Sequence, residues 1–259
     1  MQGSVVYNLF FATIISLVCA VLVASAAVLL RDRQEVNAAL DMQVNVLVAA
    51  GLAGPGEALS REEVTARSKV VEPVVIDLET GEELPDVDPS AFNQRVEQST
   101  PAASRVAPPN AAGVPRLPNR ALVYKVRDEQ GRLDALVLPI QGMGLWSTLY
   151  GFIALEGDLE TVRGITYYEH RETPGLGGEV DNPRWRALWR GRKAFGEGFE
   201  PRIEVIKGHA GPPAEDPYRV DGLAGATMTS RGVTNMLHLW LGELGFGPYL
   251  QQLAERRDD

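Results

Sequence analysis

The first strong pattern along the chain is an apolar run without a charge, Val5 to Leu30, closed by Arg31-Asp32-Arg33. Coiled as a helix it would be about 39 Å long at 1.5 Å per residue, against a hydrocarbon core of roughly 30 Å, so the run predicts a membrane-spanning helix. Ala24-Ser25-Ala26 has the small-residue form of a signal-cleavage site, which makes a removed leader the rival reading. The stretch before Val5 carries no Lys or Arg, and the run is long for a leader, so an uncleaved anchor is expected. A lipoprotein site at Cys19 fails because Val18 is too large for the preceding position.

Beyond Arg33 the spacing of Val36, Leu40, Val44 and Leu47 continues a helix toward Leu52, and Gly51 to Gly56 breaks it. Ser60-Arg61-Glu62-Glu63 reads as a capping box opening a short helix. Val74 to Leu78 predicts a strand, turned by Glu79-Thr80-Gly81 and followed by the acidic stretch Glu82 to Asp88. Pro101 to Pro118, rich in Pro, Ala and Asn, reads as an extended surface loop. Ala121 to Val126 and Leu133 to Ile140 alternate as the arms of a hairpin, and Tyr150 to Leu155 and Gly164 to Tyr168 predict two more strands. Asn182-Pro183 predicts a helix reaching about Phe195, and Arg202 to Lys207 a further strand. Thr229 or Ser230 is expected to cap a last helix, roughly Gly232 to Leu244, with Val233, Met236, Leu237, Trp240 and Leu241 on its apolar side. Hairpin strands with a few helices give an α+β fold with mainly antiparallel strands. The expected organisation is an anchor over residues 1–33 with its membrane helix at about 5–30, a first part of the soluble domain over 34–120 that includes the Pro-rich loop 101–118, and a core over 121–259.

Charge narrows the function. The net charge of −9 argues against a nucleic-acid partner, since phosphate backbones need clustered Lys and Arg. Cys19 is the one cysteine, which excludes a disulfide framework and any thiolate zinc or iron–sulfur site built by this chain alone. His170, His209 and His238 are scattered, so no metal site is expected. On charge alone, Arg31 and Arg33 would place the following domain in the cytoplasm.

Three short elements carry candidate chemistry. In Asp221-Gly222-Leu223-Ala224-Gly225-Ala226-Thr227-Met228-Thr229-Ser230 the small residues leave the Thr227 hydroxyl reachable, just before a helix start where free N–H groups and the dipole favour a phosphate. A small-residue turn with an ordinary cap would look the same. Arg171 to Glu179, with Pro174, Gly175, Gly177 and Gly178, is a stiff loop suited to cradle a flat ring or an anion, or simply to connect. Gly142 to Ser147 sets Leu145 and Trp146 among glycines; a tryptophan in such a place is more often core than a ring platform.

Together these elements resemble the covalent-FMN subunits of bacterial respiratory complexes. GATMT is similar to their flavinylation motif, in which a threonine after Gly-Ala carries FMN in a phosphodiester bond; the position here is Thr227. ETPGLGGE, GLWS, GITYYE and WLGELGFGPYL are similar to the C subunits of Na+-translocating NADH:quinone reductases in particular. The resemblance implies an FMN-binding domain that relays electrons from NADH toward ubiquinone within a complex that exports Na+. It also implies a flavin transferase that uses FAD and Mg2+, partner subunits of the membrane complex, and a bacterial inner-membrane location with the soluble domain in the periplasm, against the local charge signal. It assigns Glu172, Thr173, Gly175 and Leu176 to a ring-facing loop, Leu145 and Trp146 to ring packing, and Lys207 to phosphate or reduced flavin. Asp221 falls to the attachment reaction, and Gly225, Ala226 and Thr229 to the phosphate turn. Departures are Ala224, where Ser or Thr is usual, the uncharged tip before Val5, and the Pro-rich loop. Two alternatives stay open: the G subunit of the related ferredoxin–NAD complex, and a membrane-tethered assembly protein without redox chemistry.

Overall fold

The computed structural model describes residues 5–258; the uncharged tip before Val5 lies outside them. The helices are α1 (Val5–Ala49), α2 (Arg61–Arg67), α3 (Gln94–Ser99), α4 (Pro183–Ala187), α5 (Thr227–Leu241) and α6 (Gly247–Asp258). The strands are β1 (Val71–Asp77), β2 (Ser104–Val106), β3 (Arg116–Pro118), β4 (Arg120–Arg127), β5 (Leu133–Met143), β6 (Thr148–Glu156), β7 (Val162–Glu169), β8 (Glu204–Val205) and β9 (Arg219–Val220). The chain divides into two compact units at Met42/Gln43. In the first, Val5–Arg31 of α1 is long and apolar enough to cross a membrane, with a mean hydropathy of 2.7.

The second unit is built on a five-stranded antiparallel sheet in the order β1-β4-β5-β6-β7. Its central strands β5 and β6 are buried through their middles, as Leu136, Val137, Leu138, Ile153, Ala154 and Leu155 show. The amphipathic helix α5 lies against β5 with Val233, Met236, Leu237, Trp240 and Leu241 buried, as its spacing predicts. The Trp240 indole donates to the Gln141 carbonyl at 2.7 Å, which fixes the register of helix on strand. The approach is close: a Cβ at Gly232 would stand 2.2 Å from the Met143 carbonyl oxygen. Only glycine fits there, and that contact brings the first turns of α5 up to the β5–β6 hairpin end. This is an α+β domain with mainly antiparallel strands behind an apolar N-terminal helix.

The predicted capping box is present: Ser60 Oγ accepts from the Glu63 N–H and Glu63 accepts in turn from the Ser60 N–H. Other elements differ from expectation. Pro101–Pro118 is not a plain surface loop, because β2 and β3 pair within it and Ala112, Val114 and Leu117 are buried. Asn110 turns the chain by bonding to Pro108 and Val114, and Arg116 braces Ser104, so the prolines frame a compact hairpin. The helix opened by Asn182-Pro183 stops at Ala187, well before Phe195; Gly191 takes φ +79° and buried Arg192 turns the chain by donating to the Leu188 and Asp216 carbonyls. The strand expected over Arg202–Lys207 shrinks to β8, paired in parallel with β9. Finally, α3 and α6 have no counterpart among the expected elements: α3 is short and buries no residue, and α6 follows a glycine-rich turn.

The close approach at Gly232 gives a direct test. Gly232→Ala should destabilise the domain by about 1–3 kcal/mol through overpacking against the Met143 carbonyl. Urea denaturation would read this as a lower midpoint with an unchanged slope, and an unshifted midpoint would show that α5 and β5 can separate freely.

Candidate functional site

The site is organised around one carboxylate. Glu172 follows β7 and is 5% exposed. It accepts from three consecutive backbone N–H groups of the β5–β6 turn: Leu145 at 3.2 Å, Trp146 at 2.9 Å and Ser147 at 3.1 Å. A fourth donor is the Thr229 hydroxyl in the first turn of α5, at 2.8 Å. Burial alone would raise the Glu172 pKa; the bonds from Trp146, Thr229, Leu145 and Ser147 outweigh it and hold the carboxyl below the ordinary glutamate value. Space for the carboxylate comes from two glycines, since a Cβ at Gly144 or Gly177 would stand 2.6 Å from its oxygens. Glu172 therefore ties the turn after β5, the loop after β7 and the start of α5 into one body.

Thr227 is the first residue of α5 and is exposed. Ala226 stands at the N-cap and no side chain caps the helix, so neither Thr229 nor Ser230 has the capping role read from the sequence. Thr229 is 0% exposed and turned to Glu172, and Ser230 Oγ accepts from the Leu223 N–H at 3.1 Å, holding the preceding turn against the helix. The reason is helical phase: the N-cap is Ala226, three residues before Thr229 and four before Ser230, so both hydroxyls fall within the first turns of the helix and point inward. Gly225 adopts φ +70° beside the Leu176 side chain, where a Cβ would meet Leu176 Cδ2 at 2.9 Å.

A cavity of about 590 Å3 opens beside Thr227. Lys207, His209 and Arg231 line it with the small residues Gly222, Ala224 and Gly225. Lys207 and Gly225 are sequence candidates; His209, Arg231 and Ser230 are not. Arg231 sits four positions from Thr227 on the same helix, a spacing that puts the two on one face and is legible once the helix start is known. Asp221 is not among the lining residues. Its carboxylate accepts from His209 Nδ1 at 2.7 Å and the Ala210 N–H at 2.9 Å, and its carbonyl accepts from the Trp185 indole at 2.8 Å. Burial would raise the Asp221 pKa, but those bonds and the nearby His209 and Arg192 keep it low. Asp221 braces the cavity wall.

The remaining sequence candidates divide into three sets. Thr173 and Gly175 are exposed loop residues, and the Thr173 carbonyl accepts from the N–H groups of Leu176 and Gly178, closing the loop. Leu145, Trp146 and Leu176 present exposed side chains, together with Met228. Trp146 is 70% exposed, against the general tendency of tryptophan toward the core. Ala226 is buried and shapes the turn. The three segments that Glu172 joins thus carry a set of exposed apolar side chains near a cation-lined cavity.

Residues 144–242 match the FMN-binding domain family. The C subunit of the Na(+)-translocating NADH-quinone reductase of Yersinia pestis is 44% identical over 98% of this chain and 95% of that protein. Its counterpart from Vibrio anguillarum is likewise 44% identical, over 98% and 97%. The chain belongs to the family of Na+-translocating NADH-quinone reductase C subunits. The crystal structure of Shewanella oneidensis NqrC superposes with a TM-score of 0.76 at 35% identity, covering 82% of this chain and 96% of that one. The corresponding protein of Parabacteroides distasonis, at 24% identity and a TM-score of 0.59, shares the fold. Family membership removes the ferredoxin-complex G subunit as the better reading.

The residues present fit FMN. An uncapped helix start and the cationic side chains suit a phosphate, and the exposed apolar side chains suit a flat ring. The Glu172 clamp is testable without the cofactor. Glu172→Gln should cost about 2 kcal/mol at neutral pH, because charge-assisted bonds become neutral ones and an amide N–H faces donors. Since the folded pKa is depressed, the advantage of the wild type is complete above the ordinary value of about 4.3 and is lost as pH falls through the lower folded value. Denaturation curves of both proteins across this range should converge on the acid side; a gap that stays constant would refute the clamp.

Proposed function

We propose that this chain is the flavin-bearing electron-transfer subunit of a Na+-translocating NADH:quinone reductase, with FMN joined through its phosphate to Thr227 Oγ1. The observation that carries the reading is the exposed Thr227 hydroxyl at an uncapped helix start, facing a cavity lined by Lys207, His209 and Arg231. When bound, FMN supplies one-electron redox chemistry. The chain's own groups then have separate tasks. The first-turn N–H groups of α5 and the Lys207 and Arg231 cations hold the phosphate charge. Leu145, Trp146 and Leu176 pack on the ring and exclude water from one side, on a frame that Glu172 keeps rigid. Asp221, through His209 and Ala210, keeps the opposite wall in place.

In this reading a separate transferase makes the bond: Thr227 Oγ1 attacks the FMN phosphorus of FAD, AMP leaves, and the hydroxyl proton is lost to that enzyme. Electrons reach the flavin from NADH through other subunits and continue toward ubiquinone, with Na+ export a property of the whole complex. The domain lies in the periplasm and α1 crosses the inner membrane. A reporter fused after Leu52 should be active only where it functions in the periplasm; activity of a cytoplasm-only reporter there would reverse the topology.

Two neighbouring threonines test the attachment. Thr227→Val, expressed with the transferase, should lose flavin fluorescence in a denaturing gel and keep its melting temperature, because Thr227 is exposed. Thr229→Val should keep fluorescence but lose about 1–2 kcal/mol of stability, because a buried donor to Glu172 disappears. Fluorescence that survives Thr227→Val would move the site, and none in the wild type would defeat the flavoprotein reading.

A further inference from the structure

A second cavity, of about 510 Å3, lies within the Gln43–Asp259 unit and includes none of the residues assigned to flavin. Its walls come from the end of α1 and the turn after it, from β7, and from α4. Four arginines face it. Two are neutralised: Arg67 pairs with Glu57 at 2.7 Å, and Arg163 with Asp134 and Glu156. Arg186 and Arg190 are not. Arg186 Nε donates to the Ile165 carbonyl at 2.9 Å, which orients the guanidinium, and no carboxylate among the described residues lies within 4.0 Å of either side chain. Burial draws the Arg186 pKa below its ordinary value, and the attraction of Asp181, itself bonded to His170, does not restore it. A half-buried cation with no carboxylate in direct contact is an incompletely met electrostatic demand.

The rest of the lining says what kind of anion would meet it. Val48, Leu52, Pro55, Ile165 and Ala187 make an apolar floor, and no Ser, Thr, Asn, Gln, Tyr or His side chain lines the cavity. A nucleotide or sugar would leave its hydroxyls unpaired there. The volume holds two or three side chains and falls short of the tails of a diacyl lipid. We propose that this cavity receives an acidic segment of a neighbouring subunit, one or two carboxylates carried among apolar residues, with Arg186 and Arg190 as the paired forks. Membership of a subunit family supplies the partner class, and planar guanidiniums are the side chains best matched to carboxylates.

The test uses the assembled complex. A benzophenone amino acid at Ala187, an exposed lining residue, should crosslink under ultraviolet light to one other subunit. Mass spectrometry should place the adduct in a segment containing Asp or Glu. Arg190→Glu, at an exposed position with no internal carboxylate partner to lose, should cut the crosslink by about tenfold, while Arg190→Lys keeps most of it. In-gel flavin fluorescence, which does not depend on this cavity, should be unchanged in both variants. An adduct to phospholipid, no protein adduct, an adduct in a segment without acidic residues, or a yield indifferent to Arg190→Glu would each overturn the proposal.

Discussion

The bonding of the Glu172 carboxylate is the constraint on which the rest of the site depends. A buried carboxylate survives folding only when its lone pairs are met, and here four donors meet them from two other segments of the chain. Three of the donors are successive backbone N–H groups, which forces residues 145–147 into a concave arc around one anion. The fourth comes from the helix that carries Thr227. Removing the charge would loosen both the apolar side chains of the arc and the helix start. Gly144 and Gly177 are the steric counterpart of the same arrangement, since any side chain there would occupy the space of the carboxylate.

The charges around the site follow the same division. The chain carries a net charge of −9, yet the cavity beside Thr227 is lined by Lys207, His209 and Arg231 and by no acidic side chain except Glu204. Glu172 and Asp221, the two acids adjacent to this region, are both turned into hydrogen bonds, so their charges act on the protein's own groups. That leaves a positive field at an uncapped helix end, where a phosphate would complete the missing cap. The Arg186 cavity has the same logic in a different place: cations kept without carboxylate partners mark where an anion from outside the domain would fit.

What is legible in the sequence follows from range. Alternation within strands and the apolar stripe of α5 are local patterns: β4 to β7 appear where the periodicity puts them, and α5 buries the predicted stripe although it starts at Thr227, five residues before the expected Gly232. The Ser60–Glu63 box is legible for the same reason. The Glu172 clamp is not, because its donors lie 25 to 27 and 57 residues away and a glutamate in a glycine-rich loop has no periodic signature. Pro101–Pro118 misleads because composition reports the absence of regular hydrogen bonding better than it reports burial; Leu117 and Val114 are core residues within it. Trp146 departs from the usual fate of tryptophan because a backbone held by Glu172 leaves its ring outside.

The distinction between the two threonines reduces to helix geometry. Positions i and i+2 of an α-helix point about 200° apart, so if one faces the domain the other faces away. With α5 starting at Thr227, Thr229 is directed at Glu172 and Thr227 at solvent. A start one residue later or earlier would rotate both by about 100° and leave neither hydroxyl well placed. The phase is set before the helix begins: Gly225 at φ +70° turns the chain against Leu176, and the Leu223 N–H on Ser230 Oγ locks that turn to the first coil of α5. The run of small residues ahead of Thr227 thus has two physical tasks, clearing space around the hydroxyl and fixing the angle at which it leaves the fold. Substitutions at Gly225 would act on the second even where the first is preserved.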